Sequence, residues 1–248
     1  MQIHFLGTNG WFNAETGETS CVLVDAQEAY VIFDAGNGLR KLERHITDPA
    51  KPIYLCLSHF HLDHVYGLHM LPKFRFPQGI TILGQPGTER TLRSLLGKPW
   101  TAPLERLPTA VRFQEVGEGN YTAPFPLVVR FLVHSDPCIG FRVTLEGKTI
   151  TYCTDTGTCE QLSVLGHNAD CFITECSWRV PQQQPGWPHL APEDAAAAAR
   201  AANARQLALV HFEGYTYPTL EARTEAETRA RAIFPATRAM HDDDVITL

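Results

Sequence analysis

An α/β protein whose sheets are covered by helices is the fold class this sequence predicts, and three observations predict it. Ten short apolar runs rich in β-branched and aromatic residues alternate with helical patterns along the chain. The strand runs outnumber the helices, which fall between them, so the helices are expected to lie on sheet faces. Of the 248 residues, 44% are hydrophobic and 19% charged, a balance that buries a core instead of leaving the chain disordered.

The strand runs fall at residues 3–6, 21–24, 31–33, 53–57, 80–83, 127–133, 141–145, 149–153, 171–174 and 207–210. Helical patterns occupy 38–45, 88–96, 192–203 and 219–233. The third of these opens with Pro192, Glu193 and Asp194. Proline suits a first helical position, and the two acids oppose the positive end of the helix dipole. The Pro/Gln/Gly stretch 181–188 reads as a loop because apolar patterns continue on both sides, so residues 1–248 are read as a single domain.

Several classes are excluded at this level. No run approaches 18 apolar residues, so no membrane span is expected. The segment Met1-Gln2-Ile3-His4-Phe5 has no basic region followed by an apolar one, so no secretory signal is expected. With 21 basic and 27 acidic residues the net charge is −6, which lacks the broad basic surface that phosphate backbones need. The seven cysteines are odd in number and form no C-x-x-C pair, so buried thiols in a cytoplasmic protein are expected.

Chemistry concentrates after the run 53–57, in Ser58-His59-Phe60-His61-Leu62-Asp63-His64. Alternate residues of an extended segment point the same way, so His59 and His61 can reach one ion. If the chain then turns into a helix, Asp63 and His64 can reach a second. Neutral imidazoles and a carboxylate suit zinc, manganese or iron.

This His-x-His-x-Asp-His run resembles the metal motif of the metallo-β-lactamase superfamily, and later motifs of that family can be found in order. Asp34 in Phe33-Asp34-Ala35-Gly36 is similar to the strand-end carboxylate that buttresses the metal loop. His134, Asp155 and His211 each follow a predicted strand, as the third, fourth and fifth motifs do. The resemblance implies a four-layer αβ/βα sandwich and two divalent ions, zinc first and manganese or iron as alternatives. It implies that His59, His61 and His134 hold one ion, that Asp63, His64 and His211 hold the other, and that Asp155 bridges them. Asp63 is thereby placed in the catalytic group as well. A dinuclear centre of this kind activates water and clamps phosphoryl oxygens.

Within that superfamily the motifs point to a branch similar to ribonuclease Z and small phosphodiesterases. His134 lies in His134-Ser135-Asp136-Pro137-Cys138, unlike the context common in thioesterases. Glu175, in Ile173-Thr174-Glu175-Cys176, and His189 resemble the loops with which ribonuclease Z protonates its leaving oxygen. His189 is then the general acid and Glu175 its orienting partner. The family usually has Ser or Thr after that histidine, where this chain has Leu190-Ala191. Trp178 and Arg179 are the candidates for stacking a base or sugar and meeting a phosphate. Trp187 and the loop 7–19, with Trp11 and Phe12, are expected to lie nearby.

The chain also departs from tRNA-processing enzymes. Only 21 residues separate His134 from Asp155, too few for the long arm that grips tRNA. The expectation is a metal-dependent phosphodiesterase acting on a small cyclic or nucleotide phosphodiester, with no tRNA and no membrane partner. A homodimer stays open. The alternative on the same dinuclear site is a carboxylic ester, thioester or lactone hydrolase; a redox or purely binding metal protein is the third reading.

Overall fold

The computed structural model describes residues 1–182 and 186–248; Gln183, Gln184 and Pro185, inside the loop expected at 181–188, lie outside the described residues. The strands are β1 (Gln2–Gly7), β2 (Asn9–Gly10), β3 (Cys21–Asp25), β4 (Tyr30–Phe33), β5 (Ile53–Leu57), β6 (Ile80–Gly84), β7 (Val111–Glu115), β8 (Gly119–Tyr121), β9 (Leu127–Phe131), β10 (Ile139–Leu145), β11 (Lys148–Cys153), β12 (Cys171–Glu175), β13 (Leu207–Val210), β14 (Phe212–Glu213), β15 (Thr237–Ala239) and β16 (Val245–Thr247). The helices are α1 (Leu62–Val65), α2 (Thr88–Leu95), α3 (Glu160–Gly166), α4 (Pro192–Ala201) and α5 (Leu220–Arg231), with 3-10 segments at Asn37–Arg44 and Tyr66–Lys73.

Two seven-stranded sheets result, in the orders β16-β1-β3-β4-β5-β6-β7 and β15-β13-β12-β11-β10-β9-β8. Each joins an antiparallel half to a parallel half: β4, β5, β6 and β7 run parallel in one, and β11, β12, β13 and β15 in the other. Successive side chains of a strand point to opposite faces, and here both faces are covered. In β4, Val31 and Phe33 face the second sheet, and Tyr30 and Ile32 face Leu39, Leu42 and Leu68 of the 3-10 segments. In β13, Ala208 and Val210 enter the intersheet core, and Leu207 and Leu209 meet the alanine faces of α4 and α5. The result is a four-layer αβ/βα sandwich.

Eight of the ten expected strand runs gain or lose one to two residues at their ends, and two match residue for residue. The strands that the sequence did not announce are mostly at sheet edges. β7 reads Val-Arg-Phe-Gln-Glu and β8 is three residues long, so neither shows a continuous apolar run. All seven cysteines are free thiols, six of them buried. Among the described residues, no helix is long and apolar enough to cross a membrane.

Candidate metal centre

The parallel halves of the two sheets end on the same side of the sandwich. Asp34 follows β4, Ser58 and His59 follow β5, Asp155 follows β11, and His211 follows β13. Asp34, Asp155 and His211 all have φ between 53° and 56°. Non-glycine residues avoid this left-handed region, so its recurrence at three strand ends marks a locally constrained site.

Hydrogen bonds fix which nitrogen each imidazole presents. Ser58 Oγ donates to Asp34 Oδ2 at 2.9 Å, so it accepts from His59 Nδ1 at 3.0 Å. That leaves His59 Nε2 with a lone pair, buried and without a hydrogen-bond partner among the described residues. His64 Nδ1 donates to Asp34 Oδ2 at 2.7 Å, which frees its Nε2. Ser177 Oγ donates to the His211 carbonyl at 2.9 Å and accepts from His211 Nδ1 at 3.0 Å, again freeing Nε2. His61 is turned the other way: Nε2 donates to Asp136 Oδ2 at 3.0 Å, and Nδ1 lies 3.3 Å from His134 Nε2. Partners of this kind orient metal-binding imidazoles and set their tautomers.

The freed atoms converge in two groups, and His189 forms a third with Asp155 and His211. His59, His61, His134 and Asp155 each offer one atom within 4.8 Å of the others, and so do Asp63, His64 and His211. In the second group His64 Nε2, His211 Nε2 and Asp63 Oδ2 are mutually 3.2 Å apart. Asp155 Oδ1 adds contacts of 3.2 Å to His64 and 3.0 Å to His211. Tetrahedral ligands about 2.0 Å from a zinc ion would be spaced by about 3.3 Å, so the cradle fits a cation of that size. Asp155 turns its other oxygen, Oδ2, to His59 and His134 at 3.7 Å each, as a bridging carboxylate must. Two nitrogen lone pairs held 3.2 Å apart repel unless a proton or a cation sits between them.

The electrostatics agree. Burial pushes the His59 imidazole down, with His64 adding to the effect, and burial likewise lowers His134. For His64 and His211 burial also opposes charge, but the carboxylates around them, Asp63 and Asp155 foremost, win and raise both. Burial would lift Asp63 and Asp155, yet the neighbouring imidazoles hold both well below the usual carboxylate range.

Beside this cluster stands a second device. His189, almost fully buried, places Nδ1 2.9 Å from each oxygen of the fully buried Glu175. The Thr156 backbone N–H donates to the same carboxylate. Burial opposes a charge on His189, but Glu175 outweighs it and pushes the imidazole up to about 9. Its ring lies 5.5 Å from that of His134 and 6.0 Å from that of His211. The loop that carries it does without the Ser or Thr cap. The N–H groups of Ser177 and Trp178 donate to the Leu190 carbonyl at 3.1 and 3.0 Å, and the Ala191 N–H to Asp194 Oδ2 at 3.1 Å.

A cavity of about 340 Å³ opens over the cluster, with Trp11, Leu62, Trp187 and His189 among its walls. Here the expected substrate contacts need correction. Neither Trp178 nor Arg179 is among the residues lining this cavity. The Arg179 guanidinium is drawn outward to the Thr216 carbonyl at 2.8 Å and to Glu225 at 3.4 Å. Trp178 packs edge-on at 6.0 Å behind His189. Trp11 and Trp187, 6.0 Å apart, take the place expected of them. The Trp11 N–H also donates to Asp63 Oδ2 at 2.7 Å, tying the loop 7–19 to the cluster.

Comparison with known proteins gives a consistent placement. The family model of the β-lactamase superfamily domain matches residues 29–212. An uncharacterised protein of Mycobacterium tuberculosis is 29% identical over 94% of this chain and 87% of its own length. A ribonuclease Z of Bacillus licheniformis is 26% identical over 98% of this chain and 97% of its own. Among solved structures, the metallo-β-lactamase fold protein YhfI of Bacillus subtilis superposes with a TM-score of 0.82 at 21% identity, covering 99% of this chain and 98% of that one.

Proposed function

The chain belongs to the β-lactamase superfamily and is a metal-dependent hydrolase on the metallo-β-lactamase fold, and from that premise we propose that it is a dinuclear phosphodiesterase. Its substrate in this reading is a small cyclic or nucleotide phosphodiester. The observation that carries the reading is the His189–Glu175 pair beside the cluster. An alkoxide leaving a phosphodiester needs a proton, and a buried imidazole held by a carboxylate supplies one. A ribonuclease Z as relative supports the same bond type, since that enzyme's name describes cleavage of RNA. Its alignment runs over 307 positions for a chain of 248, so at least 59 of them have no counterpart here, which supports a smaller substrate than tRNA.

In this reading His59, His61 and His134 hold one divalent ion, Asp63, His64 and His211 hold the other, and Asp155 spans both, with zinc first among the candidates. Such a pair of ions, when bound, supplies an activated water and charge stabilisation on phosphoryl oxygens. The chain's own residues do the rest. Glu175 accepts a hydrogen bond from Nδ1–H of His189 and fixes the ring plane, so that Nε2–H faces the cavity. As the P–O bond to the leaving group breaks, that proton passes to the departing oxygen. Trp11, Leu62 and Trp187 narrow the approach and limit competing water.

The test is an assay of the metal-loaded protein on bis-p-nitrophenyl phosphate, an acyl thioester and a lactone side by side. The phosphodiester should be the preferred substrate by kcat/KM. A preference for thioester or lactone would transfer the site to acyl chemistry.

A further inference from the structure

Leu62 opens α1 directly after the metal-binding run, and it is 63% exposed. It forms a wall of the cavity over the cluster and, on its other side, a wall of a larger open groove of about 600 Å³. The groove lies between the loop that carries Phe60 and one face of α2, where Arg90 and Ser94 stand one turn apart beside Thr91 and Leu95. Trp100, 74% exposed, closes its far side. The two basic residues of α2 differ. Arg93 is paired with Glu89 at 2.8 Å and also with Glu105. The Arg90 guanidinium makes no hydrogen bond or ion pair among the described residues, although the chain carries a net charge of −6.

We propose that this groove is the subsite for the non-leaving arm of the substrate, and that the arm is a nucleoside bearing a further phosphate. The inference rests on the phosphodiesterase reading. A phosphodiester has two ester arms diverging from one phosphorus. The leaving arm must lie on the His189 side, so the other is directed across the cavity, over Leu62. What meets it there is an aromatic face, Trp100, and an unpaired guanidinium, Arg90. A nucleobase stacks on the first, and a terminal phosphate pairs with the second in charge-assisted hydrogen bonds.

Three diesters with the same p-nitrophenolate leaving group test it: bis-p-nitrophenyl phosphate, p-nitrophenyl thymidine 5′-phosphate, and the same ester carrying a thymidine 3′-phosphate. The wild type should show KM falling along that order. Arg90→Ala should raise KM for the 3′-phosphorylated ester by roughly tenfold relative to the unphosphorylated one, and Arg90→Lys should restore part of it. Trp100→Ala should raise KM of both thymidine esters by roughly tenfold relative to bis-p-nitrophenyl phosphate. Arg205→Ala, which removes an exposed charge in the other half of the chain, should leave these ratios alone. Equal shifts for all three esters, or none, overturn the groove. Should the wild type turn over no diester at all, the phosphodiesterase reading falls separately. Calorimetric titration with thymidine 3′,5′-bisphosphate then decides the groove: weaker binding to Arg90→Ala supports it, and unchanged or absent binding overturns it.

Discussion

In the proposed reading His189 and Glu175 divide labour with the candidate metal ligands, the rings of His134 and His211 lying 5.5 and 6.0 Å from that of His189. His189 lies within 4.8 Å of ligand atoms of Asp155 and His211, but its Nδ1 is engaged by Glu175 and the other two groups are complete without it, so His189→Ala should leave metal content unchanged. It should slow diesters with alkoxide leaving groups by the ~10²–10⁴-fold typical of general-acid catalysis. Diesters of p-nitrophenol should lose far less, because p-nitrophenolate departs without a proton. Equal losses on both classes, or a lower metal content, would remove His189 from the acid role. The influence of Glu175 should also be visible in the titration of His189. In the metal-free protein the His189 imidazole should lose its proton near pH 9 by NMR. That folded value lies above the ordinary 6.5, so its contribution to stability is full below pH 6.5 and is lost as pH rises through 9. Glu175→Gln should therefore lower the titration midpoint, and its loss in thermal stability should shrink between pH 6 and pH 10. A midpoint that stays in place would mean that Glu175 does not set it. Bound cations, being positive, lower the value toward neutrality, where an acid works best.

At the scale of elements, the site is assembled by strand ends, and one small pairing has large leverage. β2 and β14 pair in parallel through Asn9 with Phe212 and Gly10 with Glu213. This draws Gly10 against His211: a Cβ there would sit 2.4–2.8 Å from three atoms of the ring. Gly10→Ala should therefore displace His211 and cut metal content from about two ions toward one, with the fold kept by circular dichroism. Two ions retained at unchanged affinity would show that His211 can shift freely. This leverage was not legible in the sequence, whereas the cluster His59–His64 was. The difference is one of range. Four metal-capable groups within six residues announce themselves. The hydroxyls of Tyr152 and Ser177, which hold Asp34 and His211, come from elements 118 and 34 residues away in the chain. Only the sheet order brings them in. Asp136, two residues beyond His134, carried a local signal that its motif did not single out. Arg179 failed for a different reason: spacing places a residue on a loop, but the carbonyl of Thr216 and the carboxylate of Glu225 decide where its guanidinium points.

At the scale of the molecule, the centre joins two halves of similar design. His59, His61, Asp63 and His64 belong to the half built on the first sheet, and His134, Asp155 and His211 to the half built on the second. The intersheet core already fastens the halves through Phe33, Phe141 and Tyr152, the last of which also donates across to Asp34 at 2.9 Å. In the proposed dinuclear reading, ions held by ligands from both halves should add to this as any ligand of the native state does. At a free concentration 1,000 times its Kd, one ion contributes about 4 kcal/mol, with no affinity for the unfolded chain assumed. For a chain of this size that corresponds to roughly 10 °C in Tm. Removing the metals with a chelator should lower Tm by at least that much, and adding zinc back should restore it. The effect should also grow with pH between 5 and 8. Carboxylates hold protons on His64 and His211 in the metal-free protein, and a cation must displace them. Asp155→Asn tests the shared ligand: losing the bridge should weaken both ions together and remove most of the zinc-dependent rise. Should Asp155→Asn melt like wild type with and without zinc, the two halves are fastened by their apolar core alone, and the ions serve chemistry only.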